Sequence, residues 1–232
     1  MTRFVIHHDA FEQGSEQWLQ ARCGLLTASE IKLILTPTLK LASNDKERQH
    51  LFELAAQRIT GHVEPRYISD DMLRGQEDEI IARDIYSRTY APVHECGFIT
   101  NTRHGFTLGY SPDGLVGEHG LIECKSRRQK YQAETLIRHV PAGTVPDDFM
   151  LQCQSGLLAA ERQWLDFISY CGGMPMCVIR CWPDDRVQAA IIEAAAAAEA
   201  RIAKLITEYS DVLGSGARLI ATERRIEQEM MI

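Results

Sequence analysis

Ser111-Pro-Asp-Gly114, followed by Leu121-Ile-Glu-Cys-Lys125, is the stretch on which the reading of this chain turns. Asp113 stands at the end of one predicted strand, and ten residues later Glu123 and Lys125 stand two apart on the next. Side chains of a strand alternate between faces, so Glu123 and Lys125 project to one side and Cys124 to the other. Gly114 to Gly120 reads as a turn region between the two, so Asp113 can approach Glu123. Two carboxylates and an ammonium in that arrangement suit metal-assisted phosphodiester hydrolysis. Magnesium demands oxygen ligands and is commonly held by one or two carboxylates plus water and phosphate. Such a metal polarises the phosphate and lowers the pKa of a bound water. The lysine orients that water or stabilises developing negative charge. Cys124 offers only its backbone carbonyl as a ligand, because a thiol is too soft for magnesium. Manganese accepts the same oxygen donors, so the spacing does not choose between the two.

Upstream, the chain reads as helical. Ser15 to Cys23 is a short helix, and Thr27-Ala-Ser-Glu30 is a capping-box pattern opening a helix through Leu35. Asp45 to Thr60 follows, closed by Gly61, and then Ser69 to Thr89. After Pro92 the texture changes, with strands expected at Val93 to Thr100, Phe106 to Tyr110 and Leu121 to Lys125. Tyr131 to His139 reads as helical, and Pro146 sits at N1 of a helix reaching about Ala160. Trp164 to Tyr170 and Met176 to Trp182 read as strands around a Gly172-Gly173 hairpin turn. Pro183 to Ile232 reads as mostly helical with a break near Gly214 to Gly216. The expected class is α/β: one mixed central sheet flanked by helices, with helical additions at both ends. One domain is expected over residues 1–232, its core at about 18–182 and a C-terminal helical extension at about 183–232.

Composition narrows the class without deciding it. The chain has 232 residues, 45% of them hydrophobic, which is enough for a sizeable core. A net charge of −7 argues against a surface that is basic all over, but leaves room for a local basic channel. No run of about 18 apolar residues spans a membrane and no signal-peptide pattern opens the chain. The seven cysteines therefore read as reduced thiols in a cytoplasmic protein. Cys171, Cys177 and Cys181 lack cluster-type spacing and read as small buried hydrophobes, and His7, His8 and His104 lack zinc-type partners, so no zinc is expected.

Pro112-Asp113 with Glu123-Cys124-Lys125 resembles the PD-(D/E)XK nuclease superfamily, whose restriction-endonuclease-like core is the fold this likeness implies. Three further segments resemble, in order, the phage lambda exonuclease group, also described as YqaJ-type viral recombination nucleases. They are Trp18 to Arg22 with Gly24-Leu-Leu-Thr-Ala-Ser29, Gly75 to Arg83 with its Glu79, and Gln152-Cys-Gln154. The likeness implies that Asp113 and Glu123 bind the metal with the Cys124 carbonyl, and that Lys125 positions the attacking water. It implies that Glu79 is a further acidic ligand, with Glu77 and Asp78 as alternatives. Gln154 is expected beside the lysine and the scissile phosphate, its alternative being a buried amide that ties helix to sheet. Arg22, Ser29 and Ser111 are expected to grip a terminal 5′-phosphate. Among Arg127, Arg128 and Lys130 at least one is expected to meet phosphate.

The activity implied is a magnesium-dependent 5′-to-3′ exonuclease on double-stranded DNA ends, leaving 3′ single-stranded tails for recombination by strand annealing. A ring-shaped homotrimer, a single-strand annealing partner and a phage or prophage origin in a bacterial host are implied with it. A restriction-like or repair endonuclease with the same metal site is the alternative, as is a catalytically silent DNA-end-binding scaffold.

Overall fold

A computed structural model describes residues 4–65 and 69–224. The end of the predicted C-terminal helical region, 225–232, lies outside the described residues. The chain is a mixed α/β structure, with two four-stranded sheets where one was expected. The first sheet runs in the order β1 (Val5–His8), β3 (Phe98–Asn101), β4 (Leu108–Tyr110), β2 (Leu26–Thr27). The second runs β5 (Gly114–Val116), β6 (Gly120–Ser126), β7 (Trp164–Tyr170), β8 (Cys177–Cys181). The division falls at Ser111-Pro112-Asp113, between β4 and β5. Pro112 has no N–H to give to a ladder, so pairing stops there and restarts at Gly114.

The predicted turn from Gly114 to Gly120 is largely a strand. β5 and β6 form an antiparallel hairpin in which Gly114 faces Ile122 and Val116 faces Gly120. β6 then runs parallel to β7, and the helices between them make the crossover. These are α5 (Gln129–Glu134), a π-helical turn at Thr135–His139, α6 (Val140–Ala142) and α7 (Asp147–Ala160).

Two upstream expectations also shift. Thr27 does not cap a helix, because Leu26 and Thr27 pair with Leu108 and Gly109 of β4 and stay extended. The Thr27 hydroxyl still donates to Glu30 at 2.7 Å, and α2 starts only at Ile31 and ends at Ile34. The strand expected from Val93 is confined to Phe98–Asn101. Gly97 lies so close to the Phe11 carbonyl that a Cβ there would fall 1.7 Å from its oxygen. The remaining helices match closely: α1 (Glu16–Arg22), α3 (Asp45–Thr60) and α4 (Asp70–Thr89), capped by Ser15, Asn44 and Ser69.

α8 (Asp185–Gly214) buries Val187, Ile191, Ala194, Ala195, Ala198 and Ile202, one helical stripe. Its alanines bring it close to α3, where Arg58 meets Glu199 through two hydrogen bonds of 2.7 Å and Arg201 meets buried Glu47.

The alternation read for β6 positions the site. Ile122 and Cys124 pack with Ala82 and Tyr86 of α4 in the smaller apolar cluster. Leu121, on the opposite face, belongs to the main core. Glu123 and Lys125 share the Leu121 face and extend it outwards as a polar rim.

Candidate active site

Glu123 is 1% exposed, which requires that both its oxygens find partners. Oε1 accepts from Lys125 Nζ at 2.6 Å and from Gln152 Nε2 at 2.5 Å, and Oε2 accepts from the buried Tyr110 hydroxyl at 2.9 Å. The three donors come from β6, α7 and β4, so three elements fix one carboxylate. Continuing the hairpin register one residue past Gly114 sets Asp113 opposite Glu123. There Asp113 Oδ2 accepts from the Cys124 N–H at 2.6 Å. The Cys124 thiol lies on the other face, in the apolar cluster.

Glu79 arrives from α4. Arg83, one turn on, lies 3.7 Å from Glu79, donates to the Asp113 carbonyl at 3.1 Å and pairs with Glu95 at 3.0 Å. Asp78 turns elsewhere: it accepts from Ser126 Oγ at 2.5 Å, which separates it from Glu79 in role. A cavity of about 230 Å³ opens onto Glu79, Asp113, Glu123, Lys125 and Gln152. Its opposite wall carries Trp18, Arg22, Thr27, Ser29 and Ser111. Arg22 lies over the Trp18 ring at 4.3 Å and reaches Thr27 Oγ1 at 3.4 Å, with Ser29 Oγ a further 3.4 Å from that hydroxyl. Trp18 Nε1 donates to Ser111 Oγ at 2.9 Å and to the Gly97 carbonyl at 3.2 Å.

The electrostatics call for a cation. Burial first, then the charges of Glu123 and Glu79, push the Asp113 carboxyl well above its ordinary range. Burial also raises Glu79; Arg83 opposes the rise and Glu123 adds to it. Burial works to lower the Lys125 ammonium, but Glu123 and Asp113 outweigh it and the group stays charged. Glu79, Asp113 and Glu123 crowd around Lys125, with Arg83 beside Glu79 and Arg22 on the opposite wall, and a bound cation would relieve the mutual repulsion of the carboxylates. The donor set is all oxygen, so a hard divalent cation fits and a thiophilic one does not.

Most predicted residues meet in this cavity. Gln154 does not. It donates to the Trp182 carbonyl at 2.8 Å and accepts from the Asp184 N–H at 2.9 Å, tying α7 to the start of α8. Gln152 occupies the place expected for it. Two residues on a helix are about 200° apart, so only one glutamine of the pair can face the carboxylates. Arg127 and Arg128 also lie outside. They line a separate depression of about 650 Å³ with Arg74 and Lys130. Arg128 pairs with Asp71 at 2.9 Å, and Arg127 lies 4.9 Å over Phe149 and 5.2 Å over Tyr131. Sequence reasoning missed Tyr110, and it quoted Trp18 and Arg83 only as ends of the resembling segments, without a role in the site. Tyr110 stands immediately before Ser111, and Arg83 one helical turn after Glu79; those positions were the available signal.

Residues 17–163 match the YqaJ-like viral recombinase domain, well over half of the chain. The chain belongs to the YqaJ-like viral recombinase family. Among solved structures, this YqaJ-like chain is similar to an alkaline exonuclease, LHK-Exo, from Laribacter hongkongensis. The identity is 30% and the TM-score 0.75, over 88% of this chain and 100% of that one. The same exonuclease in complex with dAMP matches with a TM-score of 0.74. A phage-related exonuclease from Haemophilus somnus 129PT shares the fold, with a TM-score of 0.59 and 14% identity over 80% of this chain and 96% of that one. No curated protein sequence matches the chain. The PD-(D/E)XK-like fold of these exonucleases is the fold of this YqaJ-like chain.

Proposed function

We propose that this chain is a divalent-metal-dependent exonuclease that degrades double-stranded DNA ends from 5′ to 3′. The observation that carries the reading is one cavity with two walls. Asp113, Glu123 and Lys125 stand on one, and Arg22, Ser29 and Ser111 on the other. A nuclease that starts at ends needs both a hydrolytic centre and a grip for the terminal phosphate within a nucleotide's reach. The kinship with an alkaline exonuclease whose structure also exists with dAMP supports the same chemistry.

Asp113 and Glu123 would hold magnesium or manganese, with the Cys124 carbonyl beside them and Glu79 as a direct or water-mediated partner. When bound, the metal polarises the phosphoryl oxygen and lowers the pKa of a coordinated water. The chain's own groups do the rest. Lys125, held as an ammonium, orients the attacking water and offsets negative charge as the phosphorane develops. Gln152 and Tyr110 fix Glu123 against rotation, the role of outer partners around a ligating carboxylate. Arg22 presents its planar guanidinium to the 5′-phosphate, with the Trp18 ring holding that plane, and Ser29 and Ser111 add hydroxyl donors.

In this reading the product is a 3′ single-stranded tail, passed to a single-strand annealing protein. A homotrimeric ring around DNA reconciles a net charge of −7 with a DNA substrate, because only the inner channel need be basic. In this reading the enzyme works in the cytoplasm of a bacterial host and is encoded by a phage or prophage, which its membership of a viral recombinase family supports. Among the described residues no helix is long and apolar enough to cross a membrane.

The test is digestion of linear duplexes bearing 5′-phosphate or 5′-hydroxyl ends, beside closed circles, with magnesium or with chelator. Magnesium-dependent loss of the 5′-phosphorylated strand, with circles intact, is expected. Rapid cutting of closed circles would favour an endonuclease and remove the reading.

A further inference from the structure

We propose that His7, Asp9 and Cys96 form a second metal site, separate from the carboxylate centre and selective for a borderline-soft divalent cation of the zinc class. One ligand atom from each lies within 4.8 Å of the others. The set is an imidazole nitrogen, a carboxylate oxygen and a thiol sulfur. That mixture suits zinc or cobalt and is foreign to magnesium. Three protein ligands leave a fourth position for water, the open tetrahedral arrangement.

The backbone assembles the set without help from a metal. Asp9 is the first turn residue after β1, and its carboxylate comes within 4.8 Å of the His7 imidazole and the Cys96 sulfur, while His8 projects to the other face of the strand from His7. His8 is engaged there, 3.1 Å from Thr100 Oγ1 and stacked on Phe11 at 5.0 Å. The antiparallel register pairs His7 with Ile99 and His8 with Phe98, which carries Cys96 towards Asp9. The turn after β1 is then locked against this segment by the contact of Gly97 with the Phe11 carbonyl. No side chain larger than hydrogen fits there, so the approach of the two backbones is built in.

The surroundings favour a cation. Cys96 is 4% exposed, and its Sγ donates to the Phe98 carbonyl at 3.7 Å, with Asp9 close by. A cavity of about 570 Å³ begins at Asp9 and Cys96 and carries Glu12, Glu79 and Glu95, with Arg83 as the counter-charge. Burial first, and then the neighbouring Asp9 carboxylate, push the Cys96 thiol up to about 12, so the thiolate forms only as a metal displaces the proton. On binding, the Cys96 S–H proton passes to solvent as the sulfur–metal bond forms. No electron is transferred, and the two negative ligands balance the two positive charges of the ion. The site lies beside Gly97, whose carbonyl accepts from Trp18, so an ion there would stiffen the frame that carries the phosphate wall.

The test is a cobalt titration of the full chain in saturating magnesium, which keeps the carboxylate centre filled. A near-ultraviolet thiolate-to-cobalt charge-transfer band should grow and saturate at one ion per chain. Zinc should bleach it. Cys96→Ser should abolish the band, and Cys124→Ser should leave it intact. Asp9→Asn, at an exposed position that does not threaten folding, should weaken binding by about 10-fold or more. Absence of the band, a band that survives Cys96→Ser, or binding undiminished in Asp9→Asn overturns the proposal.

Discussion

Two depressions lie along β6 and differ in how their charges are held. In the smaller, Glu123 is buried and receives three hydrogen bonds from three different elements. In the larger, at the strand's end, Arg128 is paired with one exposed carboxylate and Arg127 rests on aromatic rings. The first is preorganised: its geometry is over-determined, and its crowded carboxylates repel one another until a cation arrives. The second is adaptable at Arg128 and Lys130, exposed side chains where an ion pair contributes little, while Arg127 is half-buried against its aromatic rings. Chemistry belongs to the first kind of site and sliding contact with a polyanion to the second.

The sharpest break between the two comes from removing one buried charge. Asp113→Asn should lower activity by about 10²-fold or more, the scale of one preorganised electrostatic contact. The same change should raise the melting temperature of the metal-free protein, because it removes repulsion. The sign follows from the raised carboxyls of Asp113 and Glu79. Their folded pKa values lie above the unfolded ones, so the folded state holds more protons. The metal-free protein therefore loses stability as pH rises from the ordinary carboxylate range through the raised values. Melting curves against pH should fall in chelator, and the gap to the magnesium-loaded curve should widen. A metal-free curve that rises over that window contradicts the account.

The next comparison is between the glutamines of α7. Gln152→Ala should lower activity or metal affinity by about 10- to 100-fold with little loss of stability. Gln154→Ala leaves the Trp182 carbonyl and the Asp184 N–H without a partner and should cost about 1–3 kcal/mol of stability, with turnover kept below melting. Chemical denaturation and single-turnover rates separate the two, and exchanged outcomes would reverse the assignment.

A smaller effect distinguishes Arg22 from the rim arginines. Arg22→Ala should erase a preference of about 10-fold for 5′-phosphorylated ends, the size of one charge-assisted hydrogen bond to phosphate. Arg127→Ala with Arg128→Ala should weaken duplex binding by less than about 10-fold and flatten its salt dependence by about one unit of slope per lost contact, leaving end preference intact.

The polar half of this design was legible in sequence because it rests on period two. Glu123-Cys124-Lys125 had to alternate, and its faces fell as read. Gln152-Cys-Gln154 was ambiguous for the complementary reason: on a helix both residues cannot face one site, and periodicity alone does not choose. The choice is made by contacts across elements. Gly156 lies against the Tyr110 ring, where a Cβ would sit 2.8 Å away, and Gln152 is one turn before it on that face. The single sheet expected gave way at Pro112, a residue visible in sequence but whose effect depends on the ladder around it. The expectation of no zinc missed the His7 group because Cys96, 89 residues on, comes near His7 only through the β1–β3 pairing; His8 stays apart on the other face.

The most direct test of the central claim is the fate of a 5′-phosphorylated linear duplex with the unmodified chain and with Lys125→Ala, in magnesium. The account predicts steady release of 5′-mononucleotides by the first, and a rate lower by about 10²-fold or more for the second with its fold and metal affinity retained. Equal rates from the two proteins would contradict it.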